Sequence, residues 1–198
     1  MALREPPYSV HIFGHTSFLA HSLIDALKTD GINHEEIPRN FDFQPASKLP
    51  TNSKRSRKIL VSMAWVSNRD NDYQDSEANN FWARYSLKIA EWCGHNGFEL
   101  MIPGTCLEYS EMAQSTYVMA KRRLYSEIKS RDYGITFYWP RIFYAFSAIH
   151  QRPRILREAL NARKKGSFFE LKYPNEQHDY IEMRSEEHTS ELQSRVDI

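Results

Sequence analysis

The sequence predicts an α/β protein whose core is a doubly wound parallel sheet with helices on both faces. Short apolar runs alternate with helical patterns along the chain. The runs are almost continuously apolar, as strands buried on both faces are, rather than alternating. Glycine or proline closes most of them, which punctuates one element from the next.

The first run is Tyr8-Ser-Val-His-Ile-Phe13, stopped by Gly14. Phe18, Leu19, Leu23, Ile24 and Leu27 then recur at helical spacing as far as Gly31. Residues 32–37 read as a second strand closed by Pro38, and residues 58–64 as a buried strand. A helix is expected over 77–95, with Leu87, Ile89, Ala90 and Trp92 among its apolar positions and Gly94 or Gly97 near its end. Residues 98–103 form the next strand, 115–131 the next helix, and 135–139 a fifth strand halted by Pro140. The segment 40–57 is too short for a further strand and helix, so Phe41-Asp42-Phe43 is at most a remnant strand. The aromatic stretch from Phe137 to Phe146 reads as a buried strand and its exit loop. In such sheets ligands bind beyond the carboxyl ends of the strands. Gly14, Ala64, Trp65, Thr105 and Arg141 lie at those ends.

Tyr117 and Lys121 carry the chemistry of the expected helix 115–131. Residues one turn apart share a helix face, so phenol and ammonium can reach one ligand. A phenol ionises near pH ~10 and is a poor base at neutral pH without a nearby cation to stabilise the phenolate. Lys121 can supply that charge, and the Thr105 hydroxyl can orient a substrate oxygen.

These residues, in this order, resemble the extended short-chain dehydrogenase/reductase family, the NAD(P)-dependent epimerases and dehydratases of nucleotide sugars. The resemblance covers roughly residues 8–183 and rests on six stretches: Gly14-His-Thr-Ser17-Phe-Leu-Ala20, Val61-Ser-Met-Ala64-Trp65, Gly104-Thr105-Cys-Leu-Glu-Tyr109, Tyr117 with Lys121, Pro140-Arg141-Ile-Phe-Tyr144, and Gln177-His178-Asp179-Tyr180-Ile181. It implies a Rossmann-like fold and an NAD or NADP cofactor. Gly14, Thr16, Ser17, Phe18 and Leu19 would form the dinucleotide loop, with Ala64, Trp65 and Lys121 at the nicotinamide ribose. Tyr117 would act as acid/base, with Lys121 and Thr105 assisting, and Arg154 would meet the substrate diphosphate. Helices such as 79–95 and 115–131 often form a homodimer face in this family.

The chain also departs from the family pattern. Ser17 and Ala20 stand where the phosphate loop prefers glycines. Ser17 adds a side chain at the closest approach to pyrophosphate, although its hydroxyl can contact phosphate at a helix N-terminus. The loop between Tyr109 and Tyr117 is short, and His178 stands where arginine is frequent. Glu35 and Glu36 come too early in the second strand to read a ribose 2′-hydroxyl, whereas Arg39 follows it and suits a 2′-phosphate, which leans toward NADP. Residues 184–198 resemble a translated sequencing-library adapter. The expected organisation is therefore a cofactor-binding domain over 1–183, its substrate domain incomplete, and an artefactual tail over 184–198.

Composition fits this reading. The 198 residues are 41% hydrophobic, and 26 basic side chains nearly balance 25 acidic ones. No run approaches the ~18 apolar residues of a membrane span, and the N-terminus is no secretory signal, so a cytoplasmic protein without a membrane partner is expected. Two cysteines imply no disulfide framework, and Cys106 reads as a buried structural thiol. The histidine spacing supports no metal site. Lys54-Arg-Ser-Arg-Lys58 lacks interleaved aromatics and reads as a solvated loop rather than a nucleic-acid patch. Two functions follow: an epimerase, dehydratase or reductase of a nucleotide sugar, or a non-catalytic dinucleotide-binding or assembly module.

Overall fold

The chain forms its elements in the order β1 (Tyr8–Phe13), α1 (Phe18–Thr29), β2 (His34–Ile37), β3 (Arg57–Ser62), α2 (Ala78–Asn96), β4 (Glu99–Met101), β5 (Gly104–Thr105), a 3-10 turn (Cys106–Tyr109), α3 (Thr116–Ser130), β6 (Phe137–Tyr138), β7 (Arg141–Ile142), β8 (Tyr144–Phe146), α4 (Arg154–Lys165) and β9 (Tyr180–Glu182). The structure, a computed structural model, describes residues 8–49, 57–65, 74–109, 114–142, 144–146, 154–168 and 180–182. Lys54 to Ser56, Arg152, Gln177 to Asp179 and the 184–198 segment lie outside the described residues.

The chain divides into two compact units, Met1–Ile142 and Phe143–Ile198. In the first, five parallel strands are ordered β2-β1-β3-β4-β6. β1 runs beside β3 from Tyr8↔Arg57 to Phe13↔Ser62, and β3 beside β4 from Ile59↔Glu99 to Val61↔Met101. In the second unit, β8 pairs in parallel with β9, Tyr144 opposite Tyr180.

Successive β1 side chains point to opposite faces. Val10 and Ile12 pack with Val61 against Ala20, Ile24 and Leu27 of α1. Phe13 joins the larger cluster on the other face, with Leu60, Ile89, Trp92, Leu100 and Leu124. Burying a side chain of this size contributes about 1.5–3 kcal/mol, so these two faces hold the sheet between its helices.

Two expected strands are each interrupted. Proline has no N–H to give a ladder, and Pro103 and Pro140 fall inside the paired segments. β4 and β6 stop before them, and β5 pairs with β7 after them. Ile102 N donates to Tyr138 O at 3.1 Å and Gly104 N to Pro140 O at 2.9 Å, which carries the two chain segments side by side through the break.

Phe41-Asp42-Phe43 is not a strand. It is irregular chain held down by rings. Phe43 is 3% exposed and lies edge-on to Phe13, Phe41 and Trp92 at 4.9–5.4 Å between centroids. Tyr85 OH donates to Phe41 O at 3.3 Å, and Trp92 Nε1 to Ser47 O at 2.8 Å. Aromatic packing of this geometry adds about 0.5–1.5 kcal/mol per pair beyond area. It substitutes for the strand and helix that the short segment cannot form.

The basic run is likewise not simply a solvated loop. Arg57 begins β3 and donates to both Glu99 oxygens at 2.8 and 2.9 Å, and Lys58 Nζ stands 5.3 Å from the Phe98 ring.

His11 is buried on β1, with Ser9 Oγ 3.1 Å from its Nε2 and the Glu35 carboxylate 3.4 Å from its Nδ1. Burial lowers its pKa, opposed by Glu35 and reinforced by Lys58. The unfolded chain therefore binds a proton that the folded chain resists, so this contribution to stability is lost as pH falls through and below about 6.5. Urea titrations should show a smaller stability loss on acidification in His11→Leu than in the parent chain; an equal loss would remove His11 from the acid sensitivity.

Candidate functional site

The chain passes from β1 to β2 on one side and then returns to β3 on the other. That reversal leaves a crevice beyond the carboxyl ends of β1 and β3, where open α/β sheets bind ligands. Gly14 turns the chain there with φ +80°, a region that L side chains rarely adopt. A β-carbon at Gly14 would stand 2.5 Å from Ala64 N and 2.8 Å from the Met63 carbonyl carbon. Glycine is required both for the turn and for the approach of two strand ends.

Ser17 N donates to Gly14 O at 3.0 Å, closing the turn, and the Ser17 side chain caps α1 by accepting from Ala20 N at 3.2 Å. The hydroxyl is therefore a helix cap. α1 presents the amides of Phe18 and Leu19 in its first turn, where an α-helix has no internal acceptors and a partial positive charge. These features fit the pyrophosphate of a dinucleotide. Thr16 is exposed beside them. His15 Nε2 lies 3.7 Å from Glu36 Oε2, which brings a carboxylate from β2 to this loop. Arg39 is exposed in the turn after β2.

α3 carries Tyr117 and Lys121. Ser115 caps its first turn through Val118 N, Thr116 N donates to Asp75 Oδ1 at 3.3 Å, and Tyr117 N to Gln74 O at 2.6 Å. Lys121 is 4% exposed and donates to Pro103 O at 2.7 Å. Its Nζ stands 3.7 Å from the Trp65 ring centroid, 5.6 Å from that of Trp139 and 5.9 Å from that of Tyr117. Burial pushes this amine down to about 7, against the opposing pull of Glu108. Trp65 meets Tyr117 edge-on at 6.2 Å and donates through Nε1 to Asn79 Oδ1 at 2.8 Å. Asn79 is fully buried, with its amide nitrogen on Ser76 O at 2.9 Å.

The structure thus gathers Trp65, Tyr117 and Lys121 around one point, with Thr105 on the adjoining strand. Thr105 is 7% exposed, and its hydroxyl accepts from Leu107 N at 3.4 Å. Gly14, Ser17, Phe18, Leu19 and Ala64 assemble at the crevice. Arg154 begins α4 in the second unit, and its side chain is not among those described. Cys106 is half-buried rather than buried. Sequence reasoning misses Glu108. A glutamate beside a tyrosine gives no local signal, but its carboxylate meets Thr105, Trp139 and Arg141 in the fold.

Among solved structures the chain resembles UDP-N-acetylglucosamine 4-epimerase from Bacillus cereus, with TM-score 0.61 and 14% identity over 89% of this chain and 69% of that one. It also resembles a GDP-L-fucose synthetase from Naegleria fowleri bound to NADP, with TM-score 0.59 and 12% identity over 92% and 71% of the two chains. A third is the Thermus thermophilus UDP-glucose 4-epimerase in complex with NAD, with TM-score 0.57 and 16% identity over 88% and 70%. No protein-family model and no curated protein matches the sequence. The shared property is the Rossmann-like fold.

Two measurements check this site. Gly14→Ala should lower folding stability by about 1 kcal/mol or more, because strain and backbone overlap coincide; an unchanged urea midpoint would contradict the packing described. Lys121 is held neutral more readily when folded, so the unfolded chain binds the extra proton between about pH 7 and its ordinary value of 10.5. Stability should therefore rise with pH across that window. Lys121→Met should flatten the rise, and an identical slope in both chains would contradict the burial of the amine.

Proposed function

We propose that the chain belongs to the extended short-chain dehydrogenase/reductases and acts as an NAD(P)-dependent epimerase, dehydratase or reductase on a nucleotide sugar. The observation that carries this reading is the placement of Tyr117 and Lys121 beside Trp65, at the strand end that also meets the Gly14 turn. When bound, the dinucleotide supplies or accepts the hydride. Tyr117 exchanges the proton of the sugar hydroxyl. Lys121 provides the cation that favours the phenolate and holds the ribose. Thr105 orients the reacting oxygen.

For the cofactor, Arg39 favours NADP by its place after β2. Glu36, drawn to the loop by His15, favours the 2′-hydroxyl of NAD. Arg39→Ser should weaken NADPH binding about tenfold while leaving NADH binding within about twofold if Arg39 meets the 2′-phosphate. Equal effects on both would assign discrimination to Glu36. A homodimer through α2 and α3 would cover Phe81 and Met119, which are 52% and 47% exposed. A cytoplasmic location suits Cys93 and Cys106, neither of which forms a disulfide.

The occlusion of Lys121 favours a second reading, a dinucleotide-binding module without turnover, because the amine faces Pro103 O and the Trp65 ring instead of open space. Turnover of UDP-, GDP- and dTDP-sugars with both dinucleotides separates the two. In the enzyme reading, Tyr117→Phe loses at least about 100-fold in kcat with dinucleotide affinity retained. Dinucleotide binding without turnover of any sugar favours the module.

A further inference from the structure

The Glu108 side chain is 4% exposed although it carries a carboxylate. Oε1 accepts from the Thr105 amide at 2.8 Å, and Oε2 accepts from Trp139 Nε1 at 3.0 Å and Arg141 Nε at 3.1 Å. Its backbone oxygen accepts from Arg122 Nε and Nη2 at 3.2 and 3.1 Å, which fixes the turn to α3. A β-carbon at Gly104 would collide with Trp139 Nε1 and stand 2.7 Å from Glu108 Oε1. The strand backbone therefore passes directly against the carboxylate–indole pair, and only glycine permits it.

This bonding exceeds what a surface turn needs. A buried carboxylate is costly unless its oxygens are filled by donors, and here an amide, an indole and a guanidinium fill them. The amide is that of Thr105. The Trp139 indole that donates to this carboxylate also has its ring centroid 5.6 Å from Lys121 Nζ, so amine and carboxylate share one neighbour, while the amine's own hydrogen bond goes to the neutral Pro103 O.

We propose that Glu108 is the positioning residue of this site: its carboxylate fixes the backbone of Thr105 and is the counter-charge of the buried Lys121 ammonium. The proposal rests on reading Tyr117, Lys121 and Thr105 as the reacting groups, and it assigns Glu108 the task of holding two of them. Among the described residues, the titratable groups that the structure sets against Lys121 are Glu108 on the 3-10 turn and Tyr117 on α3. Asp75 caps the α3 amide at Thr116. Trp65, Trp139 and Asn79 add only neutral surface. Arg141 is bound to the Glu108 carboxylate and Arg122 to the Glu108 backbone oxygen, so the carboxylate serves both Arg141 and the Lys121 amine.

The test is an NMR titration of the Lys121 side chain in the full 198-residue chain, its Cε resonance assigned by its loss in Lys121→Arg. In the parent chain the midpoint is expected at about 7. Glu108→Gln keeps the shape and removes the charge, so the midpoint should fall by about one unit. An unmoved midpoint in the folded variant would overturn the counter-charge role. Glu108→Asp keeps the charge and shortens the reach. It should leave the midpoint within about half a unit of the parent and displace the Thr105 amide resonance. An unmoved Thr105 amide would overturn the positioning role, including where Glu108→Gln fails to fold. Adding NAD and NADP to the same samples keeps the two readings apart. Failure of both to bind would remove the dinucleotide function, while the Lys121 and Thr105 shifts would still decide the role of Glu108.

Discussion

The missing β-carbon at Gly14 is the constraint on which the crevice depends. β1 and β3 are neighbours along six residue pairs, and at their carboxyl ends the chain must turn into α1 while the Met63–Ala64 backbone passes within contact. Only glycine meets both the positive φ and the approach. The turn then delivers Ser17 to the cap of α1, and the cap sets the direction of the first-turn amides. The first-turn amides of α1 are thus presented by backbone packing, with few side chains committed to it.

At the far side of the crevice the physics is electrostatic. Lys121 has left water, and what compensates it is a carbonyl, the face of Trp65 and the charge of Glu108. An ammonium stacked on an indole gains about 2 kcal/mol or more when desolvated, less than the cost of burying it unpaired. The amine is consequently poised between charged and neutral forms near physiological pH. Such a group responds strongly to any ligand that adds or removes charge nearby. Trp65 is held between the Asn79 carboxamide, the Lys121 amine and the Tyr117 ring.

Much of this is legible in the sequence because it is local. Alternating apolar runs and helical spacing specify the strand–helix order, Gly14 marks a turn, and Tyr117 and Lys121 share a helix face at one turn's separation. The remainder depends on contacts across the sheet. Glu108 finds Trp139 and Arg141 beyond the next helix, and Arg57 finds Glu99 on the neighbouring strand, with all of α2 between them in the chain. Phe41 and Phe43 alternate like a strand, but their rings are captured by Trp92 and Tyr85, and the backbone never pairs. The apolar pattern runs on through Pro103, but β4 ends before it because proline has no amide for the ladder, whereas Pro140 halts its strand as the sequence predicts. The position of Glu36 beside His15 is hidden for a similar reason: strand register, not spacing, brings it to the loop.

The central claim is that the Gly14 turn and the α1 N-terminus receive the pyrophosphate of a nicotinamide dinucleotide. Amide chemical-shift mapping during titration with NAD and with NADP tests it most directly. The account predicts the largest shifts at Gly14, Ser17, Phe18 and Leu19, with the Trp65 indole resonance moving at the same ligand concentration. Saturable binding that leaves those amides unmoved, or no binding of either dinucleotide at millimolar concentration, would contradict it.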